Sequence, residues 1–267
     1  MESRPIALVT GASSGIGIHF ARELARLRWD VVLTARRAER LRAVQQHLHA
    51  EFGIRADVVA GDLGSTAGAR QLFDDVQALG RPVKVLINNA GLGRFKRMLD
   101  HSIEELEAQV QVNVVSLTVL ARLFGAEMAR RREGYILNHS SFSAIQPVPS
   151  YAVYSGTKAY VLAFSQALRQ DLRPDGVRVS ALCSGFFLSE FHEKAGQVPT
   201  PLVRALLVDP RRVARAGIQG TLAGKAVIIP DWRYKLLNLC MRGLPRTIAS
   251  SLAHSRSGIR SRLGNRR

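Results

Sequence analysis

Tyr154 and Lys158 stand four residues apart in Tyr154-Ser155-Gly156-Thr157-Lys158, a spacing that puts both side chains on one face of a helix. A free phenol gives up its proton only near pH 10. An ammonium one helical turn away favours the phenolate and brings the phenol toward the range of a working proton donor. Ser141 lies upstream, at the end of the apolar run 135–139. Its hydroxyl can fix a reacting oxygen and stabilise charge that builds on it. Together these types suit proton transfer to a substrate oxygen on which negative charge builds. The Tyr/Lys pair alone is a weak signal in a chain with five tyrosines. Its position after Ser141 gives it weight.

A second constellation supplies a place for a dinucleotide. Thr10-Gly11-Ala12-Ser13-Ser14-Gly15-Ile16-Gly17 follows a short apolar run and opens a helical pattern. Glycines permit a tight turn and close approach of backbone to a pyrophosphate, and a helix N-terminus offers unpaired N–H groups and a positive dipole end. Gly11, Ser13, Ser14, Gly15, Ile16 and Gly17 are therefore expected to hold a dinucleotide. The second apolar run ends in Thr34-Ala35-Arg36-Arg37, with no acid to receive ribose hydroxyls. The guanidiniums of Arg36 and Arg37 suit a 2′-phosphate, which points to NADP over NAD. Asp62 and Leu63 are candidates for the adenine. Asn89, Ala90 and Gly91 form a small turn suited to close approach beside the adenine ribose.

The elements that position these residues can be read from periodicity. Apolar runs at 6–10, 31–35, 55–60, 83–88, 135–139, 177–182 and 225–229 alternate with helical patterns. Ser102 with Glu105 three residues on reads as a capping box. Alternating units of this kind predict an α/β fold: a doubly wound, parallel seven-stranded Rossmann-type sheet in three layers, α/β/α. Ligands of such sheets bind beyond the carboxyl ends of the strands.

The ordered set T-G-x-x-x-G-x-G, D-L, N-N-A-G, Ser141 and Y-x-x-x-K resembles the short-chain dehydrogenase/reductase family over residues 5–230. The resemblance implies a ketoreductase-like enzyme that passes hydride between nicotinamide and a carbonyl/secondary alcohol pair. It adds Asn113 to Ser141, Tyr154 and Lys158, with Asn113 holding a water on a proton path to Lys158. It also implies that Lys158 holds the nicotinamide ribose. After the sixth strand the family shows P-G-x-x-x-T, whereas this chain reads Ser184-Gly185-Phe186-Phe187-Leu188-Ser189. Ser184, Gly185, Phe187 and Ser189 are the expected nicotinamide contacts, with Ser184 less restricted than a proline. His139 is unusual at a strand end where the family carries an apolar residue, and reads as a packed or hydrogen-bonded histidine. Phe142, Tyr151, Phe186 and Phe191, with Ser141, are the expected substrate contacts. Their character favours a lipophilic ketone, such as a 3-oxoacyl, steroid-like or aromatic compound. The alternative is a catalytically silent sensor or scaffold that binds NADP(H). The resemblance further implies a homo-oligomer.

Composition sets the outer limits. The 267 residues, 46% hydrophobic, suffice for one large α/β domain and exclude a disordered or disulfide-built chain. The expected division is a domain over 1–230, with a lid at about 186–208, and a basic extension over 231–267. Cys183 and Cys240 stand far apart, and the seven histidines lack ligand spacing, so no metal site is expected. Net charge is +17. From Arg204 onward 14 Lys and Arg face only Asp209 and Asp231. No nucleic-acid module accompanies this charge. No leader or long uncharged apolar run is visible, so a cytoplasmic location is expected. The segment from Trp232 mixes cations and apolar residues at helical spacing. It reads either as a helix packed on the core or as an amphipathic helix on an anionic membrane surface.

Overall fold

The β-branched and leucine runs are buried on both faces, which only a sheet covered on both sides allows. In the computed structural model, which describes residues 4–187, 197–199, 204, 206–242 and 259–261, they become β1 (Ile6–Thr10), β2 (Asp30–Thr34), β3 (Ala56–Val58), β4 (Val83–Asn88), β5 (Gly134–His139) and β6 (Val177–Leu182). Two strands, β7 (Gln197–Pro199) and β8 (Val227–Ile228), follow. The main sheet is parallel and seven-stranded, in the order β3-β2-β1-β4-β5-β6-β8. The chain reverses direction across the sheet between β1 and β4, so their carboxyl ends, Thr10 and Asn88, open a crevice there. β7 lies apart, antiparallel to β9 (Ile259–Ser261).

Helices α1 (Ile16–Arg26) and α2 (Ala38–Phe52) cover one face, and α3 (Thr66–Gln77) the other. Next in sequence come α4 (Ile103–Val110) and α5 (Leu117–Arg130), joined by a π-turn at Gln111–Ser116. Ser102 caps α4 by accepting from Glu105 N–H at 3.3 Å. The stretch Ile103–Arg130 is long and apolar enough to cross a membrane, but Leu120, Phe124 and Met128 are buried against the sheet. α6 (Ala152–Leu172) packs beside it, and α7 (Pro210–Leu222) packs on α1.

The register of α6 decides where Tyr154 and Lys158 stand, and buried polar contacts set it. Asn88 Nδ2 donates to Asn138 Oδ1 at 2.9 Å, and Asn138 Nδ2 donates to Ser165 Oγ at 3.0 Å. Ser140 Oγ donates to the Lys158 carbonyl at 2.8 Å. An amide buried without partners is costly, so a slip of α6 along β5 is strongly disfavoured.

Trp232–Arg242 forms α8, and Tyr234 within it is 2% exposed and belongs to the main hydrophobic core. Its hydroxyl accepts from Phe186 N–H at 3.0 Å and donates to the Leu206 carbonyl at 3.1 Å. One aromatic among cations carries no periodic signal, so the residue pattern alone does not show Tyr234 packing on the core. The outer strands are also shorter than the apolar runs: β3 and β8 each have a neighbour on one side only.

Candidate active site

Gly11 and Gly15 take φ of 67° and 57°, the left-handed region in which a side chain is strained. A Cβ on Gly17 would lie 2.2 Å from the Gly11 carbonyl oxygen. The turn is thus closed around α1, whose N-cap Gly15 makes no side-chain capping bond. Its first N–H groups keep the donor capacity that a pyrophosphate uses. Asn89 secures the turn from β4 by donating to the Thr10 carbonyl at 2.8 Å. Thr10 Oγ1, a residue that sequence reasoning had left as part of the motif only, accepts from the N–H groups of Asn89 (2.8 Å) and Ala90 (2.9 Å).

The two arginines follow β2. Arg36 is exposed, while Arg37 is partly buried with Nη2 3.4 Å from Ser13 Oγ, beside the glycine turn. Asp62 accepts from Gly64 N–H at 3.0 Å, and Leu63 is buried, its carbonyl accepting from Ser116 Oγ. Asp62 thus shapes its own turn and Leu63 packs into the core.

The structure brings Ser141, Tyr154 and Lys158 together. Tyr154 hydrogen-bonds to Ser141, whose Oγ also accepts from Ser143 N–H at 3.1 Å. Lys158 Nζ lies 5.6 Å from the Tyr154 ring centre and donates to the His139 carbonyl at 2.7 Å. Ser140 faces the other way, onto Lys158's own backbone. Tyr151 stacks on Tyr154 at 4.2 Å and packs edge-on against Phe95. The Tyr151 hydroxyl is buried and makes no hydrogen bond among the described residues.

The electrostatics differ from the expectation of a phenol lowered by Lys158. The crowded surroundings push the Tyr154 phenol above its ordinary value, and the Ser141 hydrogen bond opposes that rise. The protein by itself therefore keeps Tyr154 protonated, the form that can donate. Burial brings the Lys158 ammonium down to about 8. Cys183, beside it, is pushed up to about 12 by burial and stays a neutral thiol.

Asn113 sits in the π-turn, and both ends of its amide are hydrogen-bonded. Oδ1 accepts from Leu92 N–H at 2.8 Å, and Nδ2 donates to the Leu92 carbonyl (2.8 Å) and to Thr157 Oγ1 (3.1 Å). A Cβ on Gly91 would stand 3.2 Å from Asn113 Oδ1 and 3.6 Å from Lys158 Nζ, so both residues border this glycine. The side chain of Asn113 is a strut between the Gly91–Leu92 loop and α6.

Beyond β6, Ser184 is buried and its carbonyl accepts from Phe142 N–H at 2.8 Å. Gly185 lies under Tyr234: a Cβ there would fall 2.1 Å from the ring. Phe142 packs edge-on against Tyr234 at 4.9 Å. Phe187 is buried with its ring stacked on His139, and Phe186 is half-buried. The Phe186 carbonyl accepts from Val208 N–H at 2.9 Å, so the two ends of the lid segment meet. Ser189 and Phe191 lie outside the described residues.

A doubly wound sheet, a glycine turn at its switch point and a Ser/Tyr/Lys set beside it define an oxidoreductase of the Rossmann class. Residues 5–199 match the family described as short chain dehydrogenase, and the chain belongs to that family. It is 34% identical over 203 residues to a very-long-chain 3-oxoacyl-CoA reductase of Mycosarcoma maydis, covering 73% of this chain and 57% of that protein. A rat protein of the same name is 33% identical over 246 residues, covering 85% of this chain and 76% of its own length. Among solved structures, a short-chain dehydrogenase from Sphingobium yanoikuyae in complex with NADPH superposes with a TM-score of 0.79 at 30% identity, covering 90% of this chain and 94% of that one.

The Lys158 value sets a pH dependence. Its ammonium dominates below about pH 8 and is lost above it. If the ammonium is the competent form, kcat/KM for ketone reduction stays level up to about pH 8 and then falls tenfold per unit. Lys158→Arg, charged at every accessible pH, lowers the rate but moves the alkaline fall upward. An unmoved fall in that variant assigns the limb to another group.

Proposed function

We infer that this chain is an NADPH-dependent reductase of lipophilic ketones, with 3-oxoacyl thioesters as the leading substrate class. The observation that carries the reading is the Ser141–Tyr154–Lys158 set standing beside a glycine turn with Arg37 against it. When bound, the dinucleotide supplies the hydride. Ser141 Oγ donates to the substrate oxygen and holds it against Tyr154. The Tyr154 phenol gives its proton to that oxygen as charge builds on it. Lys158, one turn along α6, lowers the cost of the phenolate left behind, which then takes a proton back from solvent. Arg36 and Arg37 favour the phosphorylated dinucleotide.

The substrate class rests on apolar surroundings and on relatives. Tyr151 stacks on the proton donor and Phe95 packs on Tyr151, which lends aromatic surface to this side of the site, and the curated relatives quoted above carry the name of 3-oxoacyl-CoA reductases. The test is a fluorescence titration with NADPH and NADH, followed by nicotinamide absorbance with 3-oxoacyl thioesters and simple ketones. NADPH should bind more tightly, and 3-oxoacyl thioesters should turn over. Tyr154→Phe should cut kcat by a factor on the order of 10² to 10⁴ while NADPH still binds. Turnover unchanged in Tyr154→Phe would remove the mechanism, and a preference for NADH would remove the role of Arg36 and Arg37.

A second reading concerns where the enzyme meets such substrates. α8 is anchored by Tyr234 and exposes Trp232 (70%), Leu236 (53%) and Leu239 (66%) along one side, while Lys235 is exposed beside them. From Trp232 onward there are nine cations and no acid. An apolar stripe flanked by cations suits the interface of an anionic bilayer. Sedimentation with phosphatidylserine/phosphatidylcholine vesicles should retain the intact chain. The triple variant Trp232→Ser, Leu236→Ser, Leu239→Ser should stay in solution, and equal binding of the two would refute this contact.

A further inference from the structure

His139 closes β5 with its ring buried between two aromatic rings, edge-on to Phe20 at 5.9 Å and stacked with Phe187 at 6.4 Å. Both ring nitrogens are engaged. Nδ1 lies 3.0 Å from Asn89 Oδ1, and Nε2 lies 2.9 Å from Ser184 Oγ. The protonation pattern follows from the partners. Asn89 Nδ2 donates to the Thr10 carbonyl, so its Oδ1 is an acceptor and Nδ1 of the histidine carries the hydrogen. Burial, with Lys158 nearby, pulls the imidazole down to about 3, so the ring is neutral and Nε2 is bare. Ser184 O–H therefore donates to it.

One side chain thus joins parts of the site that lie far apart in sequence. Through Asn89 it reaches the glycine turn. Its own carbonyl receives the Lys158 ammonium. Through Ser184 it reaches the turn after β6, whose carbonyl also holds Phe142 next to Ser141. Ser184 has no ring to restrict its φ, so the turn it begins needs a restraint from elsewhere. The unusual residue at the end of β5 and the unusual residue after β6 are hydrogen-bonded to each other.

We propose that His139 is a positioning residue that locks the Ser184–Gly185 turn to the Asn89 turn, supplying by a hydrogen-bonded bridge the restraint that a proline at 184 would supply covalently. The bridge acts on the nicotinamide end of the cofactor site through Ser184, while the adenine end keeps the arginines and the glycine turn, which Asn89 holds through its separate Nδ2 bond to Thr10. This rests on the nicotinamide-cofactor reading above. A proline at 184 keeps the carbonyl that Phe142 uses but removes the donor that Nε2 needs, so the two devices exclude one another.

The experiment compares NADPH, which spans both ends, with adenosine 2′,5′-bisphosphate, which occupies the adenine end alone. His139→Val should weaken NADPH about tenfold and lower kcat further, with bisphosphate binding changed less than about twofold. Adding Ser184→Pro to His139→Val should restore NADPH binding to within about threefold. The same Ser184→Pro in the otherwise unchanged chain should weaken it, because a buried nitrogen loses its donor. If His139→Val does not fold, Ser184→Ala removes the bridge alone and should show the same NADPH-selective loss. Equal losses for both probes, or no rescue by the proline, overturn the proposal while leaving the functional reading intact. Unchanged protein that binds neither probe overturns both.

Discussion

The short bond from Lys158 Nζ to the carbonyl of His139 is the constraint around which the site is arranged. It ties the first turns of α6 to the carboxyl end of β5. Tyr154 lies one turn before Lys158 and Ser141 two residues after His139, so one contact places donor and acceptor opposite each other. The Asn88–Asn138–Ser165 chain repeats the tie two turns further along α6. Such buried polar contacts add modest net stability but penalise any other register heavily. They specify where α6 sits as much as how firmly it is held.

The same economy governs the cofactor crevice. Its backbone is held by side chains that are themselves fully bonded: Thr10 and Asn89 at the glycine turn, Asn113 at the Gly91–Leu92 loop, Tyr234 at the Gly185–Phe186 turn. Bordering this crevice are the first N–H groups of α1, Arg37 after β2 and, beyond β5, the Ser141–Tyr154 pair. A crevice so braced loses little freedom on binding, which favours affinity and orientation. Tyr234 makes the basic C-terminal segment part of this bracing, so the surface presented by α8 and the floor under Gly185 share one helix.

Much of this was legible in the residue pattern. The apolar runs gave the order of strands, the glycine spacing marked the switch point, and the Ser102 cap appeared where the capping box placed it. The Tyr/Lys spacing led to one helical face. What stayed hidden depended on contacts between distant positions. His139 stood out as a misfit, but its partner Ser184 lies 45 residues away, and no local rule joins them. Tyr234 was obscured by surrounding cations. Spacing reports a neighbouring charge and says nothing of how crowded the phenol is, and crowding sets the direction of the Tyr154 shift. The engagement of Asn113 with Leu92 and Thr157 needed the π-turn to be seen.

The central claim is that Ser141 and Tyr154 act as one unit on a single substrate oxygen. A double-mutant cycle in single-turnover hydride transfer tests it directly. The account predicts that Ser141→Ala combined with Tyr154→Phe is hardly slower than the worse single variant, as for groups that work only together. Losses that simply multiply would show two independent contributions and contradict it.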